Sequence, residues 1–144
     1  MVDDAKKLLG KVKLYDAHID RKLEELETLY AMATKITATL SAEPFGSSGN
    51  GDKVGNIGSR IADLQTEINQ AIDNYVDLKR AIDKLISQIQ NPEQVQVLSK
   101  RYLQNKTFET IANEINMSYR NVCYIHGRGL QAVAEIMERE KKNG

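Results

Sequence analysis

The sequence predicts an all-α fold, a long antiparallel, coiled-coil-like helical hairpin followed by a compact C-terminal unit of short helices. Three observations carry that expectation. Only two prolines fall in 144 residues and tryptophan is absent, while Leu, Ala, Lys, Glu and Gln, all good helix formers, are abundant. Two long stretches repeat apolar residues every seven positions. After residue 90 the pattern shortens into brief amphipathic runs separated by Asn, Pro and Ser.

The first long helix is expected over Asp3–Ser41. Val12, Ile19, Leu26, Ala33 and Leu40 form one heptad row, and Leu8, Tyr15, Leu29 and Ile36 most of a second. Lys22 interrupts the second row, with Leu23 beside it in partial compensation. A seam sustained this long must be buried against a partner helix. Ala42–Gly58 reads AEPFGSSGNGDKVGNIG, rich in Gly and Ser, and is expected to be a flexible loop over residues 42–58. Gly46, Gly51 and Lys53 do not make it a phosphate-binding loop. Asp52 stands where the lysine belongs, no Ser or Thr follows Lys53, and no strand precedes it.

Ser59–Gln90 is expected to be the second long helix. Its rows are Ile61, Ile68, Tyr75, Ile82, Ile89 and Leu64, Ala71, Leu78, Leu85. The intervening loop is long enough to fold it back antiparallel, making residues 1–90 a helical hairpin. Asp63, Asp73, Asp77 and Asp83 with Lys79, Arg80 and Lys84 read as a solvated charged face, since no Glu-x-x-His pair accompanies them. Tyr15, Leu23, Tyr30 and Ile86 lie beside the rows and widen the apolar surface. Self-association as a homo-oligomer through this hairpin is one reading of that width; intramolecular pairing alone is the other.

Residues 91–144 are expected to form the second domain. Asn91 caps a helix that opens on Pro92, which is tolerated at a first helical position, and Val95, Leu98, Tyr102 and Leu103 mark its inner side through Leu103. Asn105 and Lys106 turn the chain, and Thr107 caps the next helix. In FETIANEINMSYRNVCYIHGRGL, Phe108–Leu130, apolar or small residues fall at Phe108, Ile111, Ala112, Ile115, Met117, Val122, Ile125 and Leu130. That spacing describes two short helices broken near Asn116, a residue type willing to adopt positive φ. Ser118 then caps the second helix. Its opposite face carries Tyr119, Arg120, Asn121, Tyr124 and Arg128. This is a helix-turn-helix, whose second helix enters the major groove of DNA in units of this kind.

Formal net charge is zero, so global charge argues nothing about nucleic acid. Residues 1–94 hold 12 Lys/Arg against 15 Asp/Glu, and residues 95–144 hold 8 against 5. The small basic excess coincides with the helix-turn-helix. A single cysteine, Cys123, rules out an intrachain disulfide and suits a reducing cytoplasm. The N-terminus is charged throughout, unlike a signal peptide, and no stretch has the roughly 18 apolar residues of a membrane span. A cytoplasmic protein that does not engage a membrane is expected. With no activated nucleophile, metal-ligand spacing or cofactor fingerprint, and only His18 and His126 among histidines, the inventory argues against an enzyme and implies no cofactor or metal.

Leu98, Arg101, Tyr102, Thr107, Ile111, Ala112, Ser118, Val122, Gly129 and Leu130 together resemble region 4 of sigma-70-type factors, over about 40 residues. The pattern there is L-x-x-R-Y, a short turn, a Ser/Thr-capped helix carrying I-A, and S-x-x-x-V leading to a small residue and Leu. The whole chain is similar to small phage-encoded transcriptional regulators, such as sigma factor-like late-gene activators, that join a helical N-terminal part to such a unit. The departures are Asn116 where the family usually has Gly, and Tyr119 and Cys123 at recognition-helix positions often basic in housekeeping factors, so sequence preference does not transfer. Nothing here resembles sigma region 2.

The resemblance implies a contact with double-stranded DNA of −35 or operator type, and an RNA polymerase contact from the same unit. The expected role is a sequence-specific DNA-binding transcription regulator. Arg120 and Asn121 are expected at base edges, where Arg pairs with G and Asn with A. Tyr124 is expected at a sugar or thymine methyl, or else as a half-buried packing residue. Lys106, Thr107, Ser118, Tyr119 and Arg128 are expected at the DNA backbone. His126 is expected at the surface, with a charge that varies near neutral pH. Two rival readings use the same helices: a terminase-like or replication DNA-recognition subunit, and a helical protein–protein adaptor that binds no DNA.

Overall fold

The computed structural model describes the backbone of residues 1–42 and 49–144 and the side chains of 1–38 and 55–144. The described residues are helical apart from short turns between helices and the chain ends, without a strand. Five α-helices run in order: α1 Val2–Ala42, α2 Gly49–Ile86, α3 Pro92–Leu98, α4 Phe108–Ile115 and α5 Tyr119–Asn143. None among the described residues is long and apolar enough to cross a membrane.

The long helices pack on each other. The chain divides into two compact units, Tyr15–Asn74 and Met1–Leu14 with Tyr75–Gly144. In the first, Leu29, Leu64 and Ile68 are buried together and Leu26 and Ile61 pack against them. In the second, Ala5, Leu9 and Val12 of α1 and Ile82, Leu85 and Ile86 of α2 share a core with Leu98, Tyr102, Leu130, Val133, Ala134 and Ile136. In the second unit early residues of α1 meet late residues of α2, and in the first later residues of α1 meet earlier residues of α2, as an antiparallel hairpin requires. The second core also runs across residue 90, the boundary expected between hairpin and C-terminal domain.

The apolar rows locate these helices with local corrections. The flexible loop expected over 42–58 is helical from Gly49 onward. Residues 43–48, with Gly46, lie outside the described residues, as does the side chain of Leu40. Four glycines of Gly49–Gly58 weaken a helix locally, yet Ile57 is buried and lies four residues before Ile61, so the apolar stripe begins a turn earlier than Ile61. At the other end α2 stops at Ile86 rather than Gln90, where short turn bonds (Gln88 N to Leu85 O, Ile89 N to Ile86 O) take over. Ile86, expected at the surface beside the rows, is fully enclosed. Leu9 rather than Leu8 is the core residue of its turn.

Asn91 caps α3 as expected, its Oδ1 accepting from the amides of Glu93 and Gln94. The helix expected to continue through Leu103 instead widens after Leu98 into a π turn, Ser99–Leu103, closed by Gln104 N to Ser99 O. The inserted residue rotates the rest of the turn about the helix axis, so Tyr102 enters the core and Leu103 is left half-buried.

Asn116 ends α4 in the left-handed region at φ 55°, ψ 46°. The Met117 amide closes back onto the Ala112 carbonyl at 3.0 Å. This is a helix stop that glycine or asparagine adopts and a β-branched residue resists. Asn116→Val is expected to cost about 1–2 kcal/mol, while Asn116→Gly stays near neutral; denaturant unfolding of both variants checks the difference.

Candidate nucleic-acid interface

Five helix-end and packing features aim α5 outward. Thr107 Oγ1 accepts from the Thr110 amide at 3.1 Å and starts α4. Ser118 Oγ accepts from the Asn121 amide at 3.1 Å and starts α5. Val97, Ile111, Ala112, Val122 and Ile125 form the small core between α3, α4 and α5, with Phe108, Ile115 and Met117 around it. Ala112 is buried where the helices cross, and a larger side chain there would separate them. Gly129 lies against Leu98, its Cα facing a side chain that a Cβ would approach to 2.9 Å.

With Val122, Ile125 and Leu130 turned inward, the other side of α5 is open. Tyr119, Arg120, Asn121, Tyr124 and Arg128 line it, and Tyr124 is 65% exposed. That exposure overturns the half-buried packing alternative for Tyr124. Arg120 has no hydrogen-bond or ion-pair partner among the described residues. Asn121 Nδ2 donates only to Met117 Sδ at 3.4 Å, a weak acceptor that gives up the amide easily. Arg128 is exposed and reaches Gln131 Oε1 at 3.4 Å. Tyr124, Asn121 and Arg128 also line a shallow cleft with Asn91, Glu93 and Gln94 at the start of α3.

The residues expected at the DNA backbone are engaged to different degrees. Thr107 and Ser118 use their hydroxyls as caps, which leaves a hydroxyl its further hydrogen-bonding capacity. Lys106 is paired: its Nζ lies 2.6 Å from Glu114 Oε1, and Lys100 Nζ reaches the same oxygen at 3.2 Å. These two hydrogen bonds hold the Glu114 carboxyl below its usual range. Lys100 is a residue that sequence reasoning misses, because its pairing depends on a turn that periodicity does not reveal. Tyr119 meets the Phe108 ring edge-on at 6.3 Å. Its phenol is raised above its ordinary pKa, first by a hydrogen bond with the Cys123 thiol, so it stays a neutral donor.

Behind this face lies a packed aromatic group. Arg101 sits over the Phe108 ring, 4.3 Å from its centroid, and donates to the Lys106 carbonyl at 3.1 Å. His126 meets Phe108 edge-on at 4.9 Å and stacks on Tyr102 at 5.7 Å. The expectation of a surface histidine titrating near neutrality is corrected here. His126 is half-buried, and desolvation, followed by the charges of Arg101 and Lys6, lowers its pKa to about 4.

Comparison with known proteins agrees with this geometry. Residues 91–135, from the cap of α3 into α5, match the family described as Sigma-70, region 4. The chain is also similar to the RNA polymerase sigma factor SigO of Bacillus subtilis (strain 168), 32% identical over 80 residues. That stretch is 56% of this chain and 42% of the relative, so the chain spans less than half of the protein it matches. No solved structure matches it significantly.

Proposed function

With a sigma-70 region 4-like helix-turn-helix as premise, we propose that the chain is a sequence-specific DNA-binding transcription regulator of phage type, acting in the cytoplasm, with α5 in the major groove. The observation that carries this reading is the uncovered polar side of α5: Arg120, unpartnered among the described residues, beside Asn121, Tyr124 and Arg128, on a helix held by a buried three-helix core. In this reading Arg120 and Asn121 meet base edges and Tyr124 a sugar or thymine methyl. Thr107, Ser118, Tyr119, Lys106 and Arg128 meet phosphates. An RNA polymerase contact from the same unit, as the similarity to a sigma factor suggests, belongs to the proposal too.

Selection of bound sequences from a random duplex library tests it, together with salt-titrated binding. A selected consensus, with affinity falling steeply as salt rises, is the expected outcome; enrichment of no sequence, or binding indifferent to salt, rejects it. Arg120→Ala is expected to cost about 1–3 kcal/mol on the selected site and to relax preference at one position. A loss equal on all sequences would reassign Arg120 to the backbone.

Glu114 supplies a second check. Glu114→Gln removes the carboxylate that Lys100 and Lys106 share. Duplex affinity at low salt is expected to rise, and the slope of log K against log salt to steepen by about 0.9 for each lysine that then reaches a phosphate.

A further inference from the structure

Within the unit Tyr15–Asn74 the two-helix layer has two sides, and its cross-helix bonds distinguish them. Gln65 Nε2 donates to Tyr30 Oη at 2.7 Å on one side. Lys22 Nζ pairs with Glu67 at 2.9 Å on the other. At about 100° per residue, Leu23 lies with Tyr30 along α1 and Ile72 with Gln65 along α2. Tyr15 and His18 lie with Lys22, and Gln70 and Asn74 with Glu67.

The Lys22–Glu67 side is lined mostly by polar residues, with Gln70 donating to Asn74 Oδ1 at 3.0 Å. The Tyr30–Gln65 side, apart from its one cross-helix bond, presents large apolar side chains. Leu23, Tyr30 and Ile72 are 42%, 46% and 40% exposed, because they lie beside a helix–helix seam that Leu26, Leu29, Ile61, Leu64 and Ile68 already fill. On the α1 rim of this side stand Asp16, Asp20 and Glu27, seven and three residues before Leu23 and four after it. None of the three has a hydrogen-bond or ion-pair partner among the described residues. No described Lys or Arg of the unit shares their row.

We propose that this side of the hairpin docks a cationic amphipathic helix of a partner protein. Leu23, Tyr30 and Ile72 receive its apolar stripe, and Asp16, Asp20 and Glu27 face its Lys and Arg residues. Helix-in-groove recognition needs an apolar row of this kind, and the carboxylates supply steering and register. Charge complementarity selects the occupant. A second copy of this chain brings the same apolar side with another row of carboxylates and no cations to meet them.

The inference goes beyond DNA binding and is tested apart from it. The probe is a fluorescent helical peptide of Leu/Lys heptads, titrated with the full chain and read by anisotropy beside a Leu/Glu peptide of equal length. The Lys peptide is expected to bind and the Glu peptide not. Leu23→Ser with Ile72→Ser, and separately Asp16→Asn with Asp20→Asn and Glu27→Gln, are each expected to weaken binding at least about tenfold. Both variants should keep the helical circular dichroism and duplex affinity of the parent. The charge variant alters only carboxylates that hold no described partner, so it reports even if the apolar variant folds poorly. Binding undiminished by the charge variant, equal binding of the Glu peptide, or a dimer in sedimentation that Leu23→Ser dissolves would overturn the proposal.

Discussion

Leu98→Ala is expected to cost about 2–5 kcal/mol of folding stability, a large share of the roughly 5–15 kcal/mol a small domain has. Leu98 is fully enclosed and belongs to the core that joins α1, α2 and α5. Its side chain rests on Gly129, where an added Cβ would stand 2.9 Å from Cδ1, 3.0 Å from Cγ and 3.3 Å from Cδ2. A buried leucine cannot yield at three atoms at once, so Gly129→Ala is expected to overpack, costing about 1–3 kcal/mol against a gain in helix propensity of about 1 kcal/mol. The two sites therefore couple. In the Leu98→Ala background the leucine atoms that would meet the new methyl are gone, and Gly129→Ala should turn stabilising. A double-mutant cycle by denaturant unfolding reads the sign change. Simple additivity would mean that Gly129 is small for some reason other than Leu98.

The sequence pattern is most informative where the cause of structure is local. Asn91, Thr107 and Ser118 cap the helices expected of them, and Asn116 takes the left-handed turn, because each depends on a side chain and amides two or three residues away. The inward set Val122, Ile125 and Leu130 comes from period alone, and the outward set is its complement. Where the cause is tertiary, the pattern falls short. A heptad row tells which side of α1 is buried but not what covers each turn, so it favours Leu8 over Leu9 and leaves Ile86 outside. Glycine content marks 42–58 as loop, whereas α2 already runs from Gly49. Tyr102 is buried as expected, but the π turn leaves Leu103 only half-buried, and no propensity scale registers one inserted residue.

The candidate interface shows the same division. The uncovered polar side of α5 is readable from spacing, but the state of its charges is not. Lys106, a free cation by sequence, is held by Glu114 together with Lys100. Such partly exposed ion pairs contribute little to stability, commonly under about 1 kcal/mol. Their weight here lies in binding, since each lysine must exchange a carboxylate for a phosphate.

His126 makes the protein sensitive to acid. In the unfolded chain a histidine titrates near about 6.5; in the folded chain burial, with Arg101 and Lys6 nearby, lowers this to about 4. The unfolded state therefore binds more protons through that interval. Stability is fully present above about pH 6.5, falls as pH drops toward about 4, and loses nothing further from this group below it. The ring is only partly buried, so after allowance for solvent screening the loss is of order 1–2 kcal/mol rather than the full shift. Glu114, held low by its two lysines, adds a loss in the same direction at more acidic pH, as its carboxyl protonates. The two are separable. His126 Nε2 and Tyr102 Oη lie 2.6 Å apart, so the neutral ring shares a hydrogen bond with the phenol and is stacked on the same side chain. His126→Gln keeps a hydrogen-bonding group and removes the titration: it is expected to lower stability at pH 7 but to flatten the decline between pH 6.5 and 4. Unfolding free energy measured across that range, in parent and variant, decides it. A decline of equal steepness in His126→Gln would assign the acid sensitivity to carboxylates instead.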